Sequence, residues 1–225
     1  MLINPEAQLR VELVEGVIPV LFIDDFYQDP QEVRAEGLRA SFDTSIALYP
    51  GRHAKLENVE ARHVVHKICD VLTSLGDRVY EASTSFTDFS ILTTKASDLL
   101  GQQKHPHIDP TPVLGLVYLN TAHSQGTCFY RNRVLGKHTI VGREENEALS
   151  IFLQTQGPTY EPETYEISGN AAWEKIYTIE GKFNRLVVYP GNVFHSIDVS
   201  DVPDVFDINT VRLTQRVIVQ HTRPK

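Results

Sequence analysis

Cysteine is scarce in this chain: 225 residues contain two, Cys69 and Cys128. Two thiols make neither a disulfide framework nor a zinc-ribbon spacing. Cys69 lies in a helical pattern and Cys128 in a strand pattern, so both are read as buried free thiols of a reducing, cytoplasmic compartment. Long hydrophobic runs are also missing. A stretch such as VIPVLFI (residues 17–23) is far short of the roughly 20 apolar residues that cross a bilayer. The start, MLINPEAQLRVELVEG, has no basic segment leading into an apolar one, and no signal peptide is read from it. A basic surplus is lacking as well: 21 Lys+Arg stand against 29 Asp+Glu, a net charge of −8. That balance argues against nucleic acid and anionic membrane as partners. No internal repeat or low-complexity segment breaks the chain. With 41% hydrophobic and 22% charged residues there is material for a real core, and residues 1–225 are read as one domain.

The first third alternates strand with helix. GVIPVLFIDDF (16–26) is apolar and β-branched, a strand pattern. DPQEVRAEGLRASF (29–42) follows, with Asp29 as cap, Pro30 at the first helical position, Glu32 completing a capping box, and Val33 and Leu38 on the buried stripe. In ENVEARHVVHKICDVLTSLGD (57–77), Val59, Val64, Ile68, Val71 and Leu72 fall near helical spacing and the glycine marks the end. From about residue 83 the pattern changes to seven short strands: STSFTDFSILTT, PVLGLVYLN, GTCFYRNR, AWEKIYTIE, NRLVVYPG, VFHSIDV and VRLTQRVIVQ. Such a series suggests a β-sandwich or barrel. An insertion at about 134–170 holds one helix, GREENEALSIFLQ. Helices first and strands afterwards predict a mainly β, α+β fold: a helical layer (about 1–82) packed on a β-core (about 83–220).

The chemistry concentrates in HPHID (105–109). Side chains two apart on an extended segment point the same way, so His107 and Asp109 can grip one ion. A mixed imidazole and carboxylate set suits a redox-active divalent metal held by two histidines and one carboxylate on one face; without thiolates, structural zinc fits poorly. His195, just after the Pro-Gly turn of RLVVYPGNVFHS, is the best second histidine. His105, beside Pro106, reads as a loop residue. His53, His63, His66, His123, His138 and His221 lack comparable partners and are read as surface or satisfied core. On the last strand Arg212, Thr214 and Arg216 share one face, while Gln215 interrupts the apolar face of Leu213, Val217 and Val219. An inward arginine is costly unless it meets an anion, and a guanidinium beside a hydroxyl is a carboxylate receptor. A solvent-facing edge with two arginines is the plainer alternative.

His-x-Asp, a distal His after a strand and turn, and Arg-Leu-Thr on the last strand, in that order, resemble the Fe(II)/2-oxoglutarate-dependent dioxygenases, and most of all their prolyl-hydroxylase-like members. The likeness spans about residues 83–220, and VIPVLFIDDFYQDPQEV resembles the strand and helix with which such chains begin. It implies a double-stranded β-helix (jelly roll, cupin-like) with the metal at one open end. It implies His107, Asp109 and His195 as Fe(II) ligands, Arg212 as the anchor of the distal carboxylate of 2-oxoglutarate, and Thr214 assisting. Tyr118 matches a position that often hydrogen-bonds the cosubstrate, with a core aromatic as the equal alternative. The reaction implied is hydroxylation of an unactivated C–H by O2, with release of succinate and CO2. The segment between His195 and Arg212 is longer than the family's, which leaves Arg216 as a rival anchor.

A cupin-like metal protein, either a 2-oxoglutarate-independent enzyme or a non-catalytic sensor, is the other class. It would favour a glutamate soon after the His pair, and HIDPTPVLG has none. A non-catalytic interaction domain is a third reading, against which the intact triad stands. The 134–170 insertion reads equally as a lid or as peripheral decoration or a dimer contact. Trp173 and Tyr130 read as core more readily than as pocket lining, and Arg131 and Arg133 as a solvated face. Substrates could be small molecules or peptide side chains, and a homodimer is allowed.

Overall fold

Two of the helices begin at a side-chain cap. A computed structural model describes residues 1–43, 50–121, 126–166, 168–199, 207 and 210–225; His123 lies outside the described residues. In chain order the elements are β1 (Leu9–Val14), β2 (Ile18–Ile23), α1 (Pro30–Arg39), β3 (Arg52–Leu56), α2 (Val59–Leu75), β4 (Arg78–Tyr80), β5 (Phe86–Ile91), β6 (Val113–Tyr118), β7 (Thr127–Asn132), α3 (Gly142–Thr155), β8 (Trp173–Ile179), β9 (Leu186–Pro190), β10 (His195–Ile197), β11 (Leu213–Val219) and β12 (Thr222–Pro224). The Asp29 carboxylate accepts from Glu32 N at 3.1 Å and the Asn58 amide oxygen from Ala61 N at 2.8 Å. Each cap satisfies an N–H that the helix itself leaves bare.

The strands pair antiparallel throughout the described residues. One sheet has seven strands in the order β1-β2-β9-β6-β11-β5-β3, a second has three, β10-β7-β8, and β12 pairs with β4. Period-two alternation decides what each face meets. On one face of the large sheet Phe89, Val117, Val188, Leu213 and Val217 pack with Val33 of α1 and with Val64, Val65, Ile68 and Cys69 of α2. On the other, Val20, Leu116 and Val187 share a cluster with Phe129, Ile179 and Val193 beside the small sheet. Each fully buried side chain of this size contributes ~1.5–3 kcal/mol. α3 adds Leu149 and Phe152 to a third cluster with Tyr130, Trp173 and Phe194.

All seven strands read beyond residue 83 are present, as is the helix of the insertion. The N-terminal part differs from expectation. It supplies four strands besides its two helices, and β1, β2 and β3 extend the large sheet at both ends. A separate helical layer over residues 1–82 is therefore too simple: the segment builds sheet and cover together. Val59 is also corrected, being 80% exposed in the first turn of α2 rather than on the buried stripe. Both cysteines are buried and free.

Candidate metal centre

His107 and His195 face each other across an isolated antiparallel bridge. Their backbones bond reciprocally, His107 N to His195 O at 2.9 Å and His195 N to His107 O at 2.8 Å, which brings the rings to 4.4 Å between centroids. Asp109 is tied to the same turn through its N–H, which donates to Gly191 O at 2.8 Å. Gly191 is required there by close approach: a Cβ at this position would stand 2.2 Å from Thr111 O and 2.7 Å from Thr111 Cγ2. The Pro190-Gly191 turn thus holds two chain segments against each other, one bearing Asp109 and the other His195. One ligand atom from each of His107, Asp109 and His195 lies within 4.8 Å of the other two.

The electrostatics favour neutral imidazole beside charged carboxylate. Burial, and then the proximity of His195, push His107 down to about 3, so it offers a lone pair at neutral pH. Burial works to raise Asp109, but the hydrogen bond and charge of His195 and the neighbouring His107 and Arg216 outweigh it and hold the carboxyl below its ordinary range. The His195 ring is oriented from behind. Its Nδ1 is 2.9 Å from Val193 O, which only accepts, so Nδ1 carries a proton and the ring turns Nε2 toward the site, 3.3 Å from Asp109 Oδ2.

A cavity of about 110 Å³ adjoins these side chains, lined by His107, Asp109 and His195 and also by Thr214, Arg212 and Arg216. The three residues expected on one face of the last strand, Arg212 just before β11 and Thr214 and Arg216 on it, are thus together, but the arginines are placed differently. Arg216 is held by Asp88 through two hydrogen bonds, Nε to Oδ1 at 2.8 Å and Nη2 to Oδ2 at 2.5 Å. Arg212 is 7% exposed, and burial lowers its pKa. Its Nη2 donates to Gly126 O at 3.1 Å and its guanidinium lies 5.9 Å from the centre of the Tyr118 ring. Tyr118 is fully buried, its hydroxyl 2.8 Å from that of Thr127, a residue of the cavity wall.

Two wall residues escaped the sequence reading. Tyr189, 1% exposed, has a buried hydroxyl with no hydrogen-bond partner among the described residues, and its ring stands edge-on to His195 at 5.3 Å. A tyrosine at a core-facing position of RLVVYPG was its only signal. His53 is neither surface nor satisfied core: it lines the cavity from β3 with a buried Nδ1 that has no partner among the described residues. β3 has no apolar alternation to betray it. His105 is in a loop as expected, yet buried, and accepts from Trp173 Nε1 at 3.3 Å. Trp173 and Tyr130 are core residues of the third cluster. From the insertion, α3 packs in that cluster, while Tyr165 reaches the cavity. Arg131 is engaged by Glu15 and Glu174. Among the described residues no helix is long and apolar enough to cross a membrane.

Residues 5–219 match the model of a family described as "Family of unknown function (DUF6445)". No curated protein matches the sequence. Among solved structures, HygX from Streptomyces hygroscopicus, with nickel and 2-oxoglutarate bound, aligns with a TM-score of 0.48 and 13% identity over 92% of this chain and 83% of its own. SnoK, a non-heme alpha ketoglutarate dependent carbocyclase from nogalamycin biosynthesis, aligns with a TM-score of 0.45 and 12% identity over 88% of this chain and 78% of its own.

Proposed function

The chain belongs to the family of unknown function DUF6445, and from that premise we propose that it is an Fe(II)- and 2-oxoglutarate-dependent oxygenase of the prolyl-hydroxylase-like kind. In this reading it hydroxylates an unactivated C–H of a small molecule or a peptide side chain. The observation that carries it is the convergence of His107, Asp109 and His195 within 4.8 Å, with the His195 ring oriented by Val193 O. Two imidazoles and one carboxylate fit a divalent iron that keeps further positions open. When bound, iron(II) supplies the oxidative chemistry that, with O2 and 2-oxoglutarate, hydroxylates the C–H and releases succinate and CO2.

The strand orders support a double-stranded β-helix. β5, β11, β6 and β9 are adjacent in one sheet, and the His107 bridge extends β10-β7-β8 in the other. The residues around the triad then have distinct tasks. Arg212 binds the distal carboxylate of 2-oxoglutarate, because the fork of Arg216 is already engaged by Asp88. Thr214, buried in the same wall, adds a hydroxyl. Tyr118 supports Arg212 from beneath. The buried, unpartnered hydroxyl of Tyr189 donates to the cosubstrate, since a phenol left without a partner costs ~1–3 kcal/mol that a bound oxyanion recovers. The free thiols fit a reducing, cytoplasmic setting.

Anaerobic titration of the apoprotein with Fe(II), with and without 2-oxoglutarate, tests this by visible absorption. A charge-transfer band that needs both components and is lost in Arg212→Ala is the expected result. Metal binding without the band would turn the reading to a cupin-like protein, and absence of metal binding would reject it.

A further inference from the structure

The two outer edges of the large sheet are built differently. β3 ends the sheet with the exposed, charged side chains of Arg52 and Lys55 in RHAKL, the usual means by which an edge strand repels another strand. β1 ends it at the other side with LRVELV, paired with β2 in unbroken register and carrying no lysine, proline or bulge. Leu9, Val11 and Leu13 are 38%, 50% and 62% exposed. They share a face, the one on which their β2 neighbours Ile23 and Leu21 meet the helices. That apolar strip continues into a groove of about 440 Å³ lined by Leu9, Leu21, Ile23, Ile68 and Val71. On the opposite face Arg10 and Glu12 pair with each other, Arg10 lying 3.9 Å over the ring of Phe22 and Glu12 accepting from the phenol of Tyr177.

We propose that β1 is the contact of an isologous homodimer in which two copies pair antiparallel about Val11, joining their large sheets into one. The segment is complementary to itself in that register. A two-fold axis through Val11 sets Val11 against Val11, Leu9 against Leu13 and Arg10 against Glu12 of the second copy, so each apolar residue meets an apolar one and each charge its opposite. Neighbouring registers fail. An axis at Arg10 or at Glu12 puts like charges face to face. One at Leu9 opposes Glu12 with Glu6, and one at Leu13 opposes Val11 with Glu15. A six-residue ladder is smaller than the roughly 800 Å² per partner of a tight interface, so the dimer dissociates at about 1–100 µM. β1 and the cavity-lining β3 and β5 lie at opposite ends of the strand order, which leaves the metal site open in the dimer.

Sedimentation velocity of the full chain from about 1 to 500 µM tests the contact. The wild type is expected to shift reversibly from one to two monomer masses. Val11→Lys, at a half-exposed position, is expected to stay monomeric with an unchanged melting temperature. Arg10→Glu, which faces Glu12 with a like charge, is expected to weaken association at least tenfold, and the double exchange Arg10→Glu with Glu12→Arg to restore it. A wild type that remains monomeric throughout overturns the proposal. So does a dimer indifferent to Val11→Lys, which places the contact elsewhere, and so does a charge exchange that fails to rescue, which removes the register.

Discussion

Two polar clusters are buried on opposite faces of β11, and only one is closed. On the helix-facing side Tyr27 donates to Gln215 Oε1, Gln215 Nε2 donates to Thr87 Oγ1 at 3.1 Å, and Thr87 donates to Arg216 O at 2.6 Å. Each hydrogen-bonding group there finds its partner inside the protein. On the cavity side, Tyr189 and His53 each bury a polar atom with no partner among the described residues, beside three metal-ligand candidates and the guanidinium of Arg212. Gln215, an interruption of an apolar pattern in the sequence, is thus a structural residue at 0% exposure. Burial of polar groups does not mark a binding site. At the cavity wall it coincides with unsatisfied polar atoms beside the metal-ligand candidates, where a ligand can supply the missing partner.

The contrast can be broken at several points. Gly191→Ala acts most strongly, since its Cβ would meet backbone and side chain of Thr111 at 2.2 and 2.7 Å. A loss of at least about 3 kcal/mol in denaturant unfolding is expected, and metal binding should fail with it as Asp109 is displaced. Asp109→Ala separates the two effects. Fe(II) affinity should fall at least ~100-fold (about 2.7 kcal/mol), read by calorimetric titration, while the unfolding midpoint stays near that of the wild type.

The closed cluster should respond in the opposite sense. Tyr27→Phe strands Gln215 Oε1 and should cost ~1–3 kcal/mol of stability with no change in metal or 2-oxoglutarate binding. Asp24, paired with Arg185 and Lys182, is satisfied by charge instead. The hydrogen bond from Arg185, against the opposing effect of burial and with help from Lys182, brings its carboxyl from 3.8 to about 2. Its folded pKa is the lower one, so the stabilisation is full above pH ~4 and is lost as pH falls through about 2. Asp24→Asn should therefore cost ~1–2 kcal/mol at pH 7, after allowance for solvent. The gap between the two melting curves should close between pH 4 and 2. The smallest effect is the most telling. Tyr189→Phe removes an unsatisfied hydroxyl, so the apoprotein should gain up to ~1 kcal/mol while 2-oxoglutarate binds about tenfold more weakly. A Tyr189→Phe protein that loses stability like Tyr27→Phe would erase the distinction between the clusters.

Much of this was legible beforehand because it rests on local rules. The cap Asp29, the alternation of β5 through β11 and the order of His107, Asp109, His195 and Arg212 are all properties of short segments. What escaped depends on which neighbour a segment meets. β1 alternates Leu9, Val11 and Leu13 as any strand does, but with its apolar side exposed, alternation says nothing of the face it turns to a neighbour. β3, in RHAKL, has no apolar period, and it is a strand because β5 supplies its hydrogen-bond partners. His53 was misread with it.

By itself, then, the sequence determined which residues are candidates to hold a metal and which segments beyond residue 83 extend, since side-chain type and period-two alternation are covalent facts. Tertiary structure alone decided the rest. It brought His195 across some ninety residues to His107, closed Arg216 onto Asp88, buried Arg212 in the cavity wall, and set the Tyr189 hydroxyl there without a partner among the described residues. Those outcomes depend on distances between segments remote in the chain. Only the packed sheets, held at the Gly191 turn by steric exclusion, set such distances.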